Sequence, residues 1–245
     1  MNVNSAIGII SAIALLVPVL LILALRLFNN RSFLALLFYY LIVCVQILMR
    51  LNVISTTKSV YQSLGIVDNF LDAPLMLVFL MFFSTSVLMK KRLTTSILLF
   101  LCFEAIVICF YGFNVNSVKI ILGPDIALIA GLSFMLFLRN VRLTVTNSKA
   151  LGKAVMMSSL LLSYVLFSLV YIFYYIARNT RYNRDAQLIY YLVTFISALL
   201  MSVGIIIESK RIKKLDELKH TRRELAAIYG QTKMHVLNKD GRLVP

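Results

Sequence analysis

The sequence predicts an all-α integral membrane protein, a bundle of seven transmembrane helices. Three observations carry this. Hydrophobic residues fill 60% of the 245 positions, more than a soluble domain uses. They gather into seven runs near the ~20 residues that cross a bilayer. The 25 Lys and Arg residues concentrate in short connections and in the tail, the pattern that fixes membrane topology.

The spans are expected at about residues 6–26, 33–54, 64–88, 95–113, 117–139, 154–177 and 187–207, within the usual uncertainty of helix ends. Pro18 and Pro74 fall inside spans, where neighbouring helices and side chains can satisfy the freed carbonyls. Pro124 follows Gly123 and is expected to bend or start the fifth span. The N-terminus leads straight into a full-length span, so no signal peptide is expected.

The connections give an orientation. Arg26 and Arg31 flank the first; Lys90, Lys91 and Arg92 fill the third; Arg139, Arg142, Lys149 and Lys153 fill the fifth. The alternate ones hold Arg50 and Lys58, then Lys119, then Arg178, Arg181 and Arg184. The positive-inside rule then places the N-terminus outside and the C-terminus in the cytoplasm.

The net charge of +15 is explained by this topology and by attraction to anionic headgroups. The expected partner is therefore the lipid bilayer and not nucleic acid, with a second copy or another membrane protein as the protein partner. Residues 1–207 form the seven-helix transmembrane domain, and 208–245 a basic cytoplasmic tail, partly helical. In the tail Leu215, Leu218, Leu225 and Tyr229 make an apolar stripe interrupted by Arg222. It suits an extension of the last helix or a helix lying on the inner leaflet. Past Gly230 the helical pattern fades, and Asp240-Gly241 reads as a turn.

The acids are placed against expectation. Asp68, Asp72, Glu104 and Asp125 all lie in apolar segments, where a carboxylate is costly. Asp68 and Asp72 are four residues apart, so they share a helix face. With the N-terminus outside, both fall in the outer half of the third span, as Asp125 does in the fifth. Glu104 is near the middle of the fourth span. Arg50 ends the second span, with Gln46 one turn deeper on the same face. A cluster open to the outside with Arg50 near Asp68 is expected if spans two and three adjoin. Such groups either knot helices together by hydrogen bonds or form a proton, cation or ligand site. Asp125 has a third reading, a helix-start acid beside Gly123-Pro124.

Among the aromatic residues, Tyr171, Tyr174, Tyr175, Tyr190 and Tyr191 near span ends read as interface anchors. Tyr164 is deeper, and either packs with one hydrogen bond or lines a pocket. Cys44, Cys102 and Cys109 read as small core hydrophobes. Both histidines, His220 and His235, are in the tail, so no intramembrane histidine can ligate zinc or serve a serine nucleophile. Phosphate loops and HExxH patterns are absent. No enzyme activity and no metal site are expected.

The third span, Asp68-Asn69-Phe70-Leu71-Asp72-Ala73-Pro74-Leu75-Met76, resembles the third helix of microbial (type 1) rhodopsins. There an acid and an aromatic precede two threonines and Pro-Leu-Leu. The resemblance puts Asp68 at the Schiff-base counter-ion, Pro74 at the family proline and Asp72 in place of the first threonine. Ser96 to Glu104 resembles the segment carrying an acid beside the retinal ring. Departures are as informative. The seventh span, Leu188 to Ile207, has no lysine, and Leu199 stands where the resemblance puts it. Gly65 stands for the arginine before the counter-ion, and Phe79 for the cytoplasmic proton donor. The chain has no Trp, and Tyr164-Val165 replaces a Tyr-Pro pair.

The resemblance implies a rhodopsin-like bundle that forms no retinal Schiff base and holds no covalent cofactor. Retinal, a carotenoid or a lipid would be held only non-covalently. The expected function is capture of a small ligand or partner by a non-photochemical membrane protein, with a sensory role in view. The alternatives are a small transporter or proton-coupled channel using Asp68 and Asp72, and a purely structural membrane partner. The inner halves of the spans are nearly all apolar, Ser84, Thr85 and Ser86 aside, which counts against transport.

Overall fold

A computed structural model describes residues 3–84, 87–147, 150–173 and 180–239. Seven helices account for the fold: α1 Val3–Ala24, α2 Arg31–Arg50, α3 Lys58–Leu80, α4 Val87–Tyr111, α5 Val115–Asn147, α6 Leu151–Tyr171 and α7 Thr180–Lys239. All seven contain stretches long and apolar enough to cross a membrane, so the fold fits an integral membrane protein.

Each helix packs on its chain neighbours, α1 closes the ring on α7, and α3 also reaches α5. Odd helices therefore run antiparallel to even ones. One end of the bundle, here the N-terminal face, gathers the starts of α1, α3, α5 and α7 and the ends of α2, α4 and α6.

Local chemistry fixes the helix starts. The Asn30 side chain accepts from Ser32 N at 3.1 Å to cap α2, and Thr57 caps α3 by accepting from Val60 N at 3.5 Å. Between α4 and α5, Gly112 takes a φ of 74°, the left-handed conformation that ends a helix. Asn114 then accepts from Asn116 N at 2.8 Å and Ser117 N at 3.2 Å, which starts α5.

That cap corrects one expectation. Pro124 neither starts nor borders α5; it lies inside it. Asp125 is about 15 Å from the helix start, beyond the first turn in which the helix dipole favours an acid.

Basic residues expected in connections also belong to helices. Lys90, Lys91 and Arg92 sit in the first turns of α4, and Arg139 and Arg142 in α5. Long basic side chains reach the interface from a continuing helix. Cys102 and Cys109 are exposed on α4, and Cys44 alone is buried. Tyr191 is fully buried in the core and is no interface anchor. Tyr174, Tyr175, Arg178, Thr85, Ser86, Lys149 and Asp240-Gly241 lie outside the described residues.

The tail continues α7 without a break and passes Gly230 to Lys239, where a fading pattern was expected. Leu215, Leu218 and Leu225 are exposed on it. At its base Glu208 is fully buried and ion-paired with Arg211.

The two halves of the bundle differ. Toward the face opposite the N-terminal one, the core is an aromatic and methionine plug. Phe33 and Phe79 lie edge to face at 6.1 Å, Phe79 and Phe83 at 5.3 Å, and Phe82 and Phe83 at 5.3 Å. Met156, Met157 and Met201 complete it, all at 0% exposure. The Lys153 ammonium rests 4.5 Å above the Phe82 ring.

Candidate functional site

The half nearer the N-terminal face is hollow. A cavity of about 710 Å³ lies among α1, α2, α3, α5, α6 and α7, within the range of small-molecule sites. Its wall on α2 runs from Arg50 through Gln46 to Tyr39, and on α3 from Tyr61 to Asp72. On α6 it runs from Tyr171 to Leu160, and on α7 from Ala186 to Ser197. Each stretch is eleven residue steps, about 16 Å of helix, or roughly half the hydrocarbon thickness. Arg50 is an exposed member of the lining, at the mouth. Leu15, Leu160 and Ser197 lie at the deep end, above the aromatic plug.

Helical periodicity explains which side chains face it. Tyr61, Asp68 and Asp72 on α3, and Tyr190, Thr194 and Ser197 on α7, recur at spacings of three, four or seven. Four of these six are hydroxyls, and two bond to carbonyls of their own helix: Thr194 Oγ1 to Tyr190 O at 2.8 Å and Ser197 Oγ to Thr194 O at 3.2 Å.

Five of the sequence-predicted residues line this cavity: Arg50, Gln46, Asp68, Asp72 and Tyr164. The Tyr164 hydroxyl donates to Asp72 Oδ1 at 2.5 Å, so Tyr164 both packs, at 1% exposure, and lines the pocket. Arg50 and Asp68 share the wall and lie within electrostatic reach, but among the described residues no ion pair joins them. Arg50 Nε donates instead to the Tyr61 hydroxyl at 2.9 Å, and its guanidinium lies 5.6 Å from the Tyr190 ring centroid. Gln46 packs against Gly65, where a Cβ would sit 3.2 Å from its Nε2.

Asp125 and Glu104 stand behind this wall. Asp125 is 0% exposed and Glu104 5%. Asp125 is within electrostatic reach of both Asp72 and Glu104. Neither Asp125 oxygen, nor Glu104 Oε1, has a well-formed hydrogen bond. Four helices thus bring Asp72, Asp125, Glu104 and Tyr164 together with no basic side chain hydrogen-bonded to any of the three acids among the described residues. Three adjacent carboxylates in an apolar bundle cannot all ionise at low cost.

Leu199 is not where the resemblance sets it. It is 41% exposed and faces away from the cavity. Ser197 lines the wall, and Leu199 is about 200° further round the helix. Sequence reasoning also missed Tyr39, Tyr61, Asn69, Ser163 and Thr194 as cavity residues, and read Tyr171 and Tyr190, both in the wall, as interface anchors. Their helical phase was the available signal: Tyr39 is seven residues from Gln46, Tyr61 eleven and Asn69 three from Asp72, Ser163 four from Phe167, and Tyr190 and Thr194 seven and three from Ser197. Among the described residues no group of His, Cys, Asp and Glu could hold a metal ion.

Removing one oxygen tests the Tyr164 contact. Tyr164→Phe leaves Asp72 Oδ1 without its donor in a buried site and is expected to cost about 1–3 kcal/mol, read as lowered thermal stability in detergent.

Comparison with protein-family models, with curated proteins and with solved structures yields no match.

Proposed function

We propose that this chain is a non-photochemical, rhodopsin-like membrane protein that captures a small ligand in the cavity between its helices. The carrying observation is the cavity itself: about 710 Å³, walled by two aspartates and a set of hydroxyls, with Arg50 at its mouth. A structural core would fill such space, because protein interiors pack to crystal density. The basic connections favour an external N-terminus, so the mouth is read as facing outside. Seven spans and the Asp68 to Pro74 pattern support the rhodopsin-like reading.

The aromatic plug favours binding over transport. Phe33, Phe79 and Phe83 are at 0%, 0% and 1% exposure beneath the cavity, where a transport path would need polar groups. Signalling fits the course of α7. Tyr190, Thr194 and Ser197 line the cavity on the same unbroken helix that carries the basic tail, so a ligand on this wall acts on a rod that leaves the membrane.

Cysteine accessibility tests the reading. In a variant freed of Cys44, Cys102 and Cys109, Asn69→Cys sits on the cavity wall about 12 Å below Tyr61. A membrane-impermeant thiol reagent is expected to modify it from the outside of intact cells. No modification from either side would defeat the cavity reading, and modification only from the cytoplasm would reverse the topology.

A further inference from the structure

We infer that the ligand is an organic cation: an ammonium group carrying apolar or aromatic substituents. This rests on the ligand-binding reading of the cavity and narrows it to one chemical class.

Charge is the first argument. The lining holds two carboxylates, Asp68 and Asp72, and one cation, Arg50. Arg50 sits at the mouth, held by the Tyr61 hydroxyl at 2.9 Å and by the Tyr190 ring at 5.6 Å. Even with one acid balanced by Arg50, the other acid has no basic partner. The wall behind adds to this. Asp125 is wholly buried against Asp72, carboxyl to carboxyl, and no basic side chain reaches it among the described residues. Glu104 is the next acid behind it. An anion in the cavity would meet Asp68 and Asp72, whereas a cation offers a partner to the carboxylate that Arg50 does not balance.

The second argument is the lining around the acids. Tyr39, Tyr164, Phe167 and Tyr190 line the same cavity as the carboxylates, Tyr164 bonds to Asp72, and Phe167 stacks on Tyr190 at 5.5 Å. Aromatic rings attract ammonium groups through their quadrupoles, most strongly away from water. Leu15, Val43 and Leu160 line the deep end and can take apolar substituents. A bare metal ion would use neither feature, and the acids do not converge as metal ligands.

Three probes of one size separate the possibilities: benzyltrimethylammonium, its uncharged isostere neopentylbenzene, and benzenesulfonate. Each is titrated by calorimetry into the full-length protein in nanodiscs of zwitterionic lipid. The cation is expected to bind at least about tenfold more tightly than either other probe. The Asp68→Asn/Asp72→Asn protein, or Asp68→Asn alone if the double variant does not fold, is expected to lose that preference. Equal or tighter binding of the neutral or anionic probe overturns the cation assignment and leaves the cavity as a binding site. Cation binding that survives the carboxamide substitutions overturns it as well. Binding of none of the three overturns it too, and the broader reading then stands or falls on modification of Asn69→Cys.

Discussion

Gly152→Ala is expected to lower the stability of the bundle by about 1–3 kcal/mol, a fall of roughly 2–12 °C in Tm for a chain of this size. The reason is the approach of α6 to α7. A Cβ on Gly152 would lie 2.7 Å from the backbone N of Glu208 and 3.0 Å from its Cα. Backbone atoms cannot rotate away, so the helices must separate. Gly204, on the facing helix, has Met156 N at 3.0 Å and Gly152 O at 3.1 Å from its own would-be Cβ. The two glycines form one close contact of the kind that small residues permit between membrane helices. Gly152→Leu extends the effect to loss of the folded, monodisperse protein. Thermal unfolding in detergent, followed by circular dichroism, is the measurement. An unchanged Tm for Gly152→Ala would mean that α6 and α7 do not approach as described.

Asp125→Asn is expected to act in the opposite direction and stabilise the protein by about 1–3 kcal/mol. Asp125 is a fully buried carboxyl against Asp72 and near Glu104, and no N–H and no Ser, Thr or Tyr hydroxyl is bonded to its oxygens among the described residues. The amide has nearly the same shape, cannot ionise against Asp72 and Glu104, and supplies two N–H donors to neighbouring carboxyl oxygens. A residue kept for fold stability would not improve on neutralisation. A group kept for a site can, because binding sites commonly hold costly residues. The same unfolding experiment reads it: a Tm above that of the unaltered protein is expected. A fall of similar size would make Asp125 a structural member of the bundle.

The seven helices were legible because length and apolar content suffice to recognise a span. Their ends were less so, since hydropathy drops where Lys90 or Arg139 begins while the helix continues. The intramembrane acids were legible one at a time. Their grouping was not, because it depends on α3 meeting both α4 and α5, which no spacing within one chain records. Asp125 is the clearest case: Gly123-Pro124 reads as a helix start, but the real start is Asn114, whose capping signal was overlooked. Leu199 failed for a different reason. A register carried over from a short resemblance ignored the helix's own phase, in which Tyr190, Thr194 and Ser197 mark the inner face. Glu208 was assigned to the tail because the apolar run ends one residue earlier. Its spacing of four from Gly204 puts both on the α6-facing side.

Charge selectivity inside the cavity tests the central claim most directly. Asn69→Cys, in the cysteine-free background, is modified separately by a trimethylammonium methanethiosulfonate and by its sulfonate counterpart. Ser55→Cys, on the exposed α2–α3 connection, serves as the reference for intrinsic reactivity. An acidic, water-open cavity predicts a normalised rate at Asn69→Cys at least about tenfold higher for the ammonium reagent, with the preference lost on Asp68→Asn/Asp72→Asn. Equal rates, or a faster sulfonate reaction, would contradict the account.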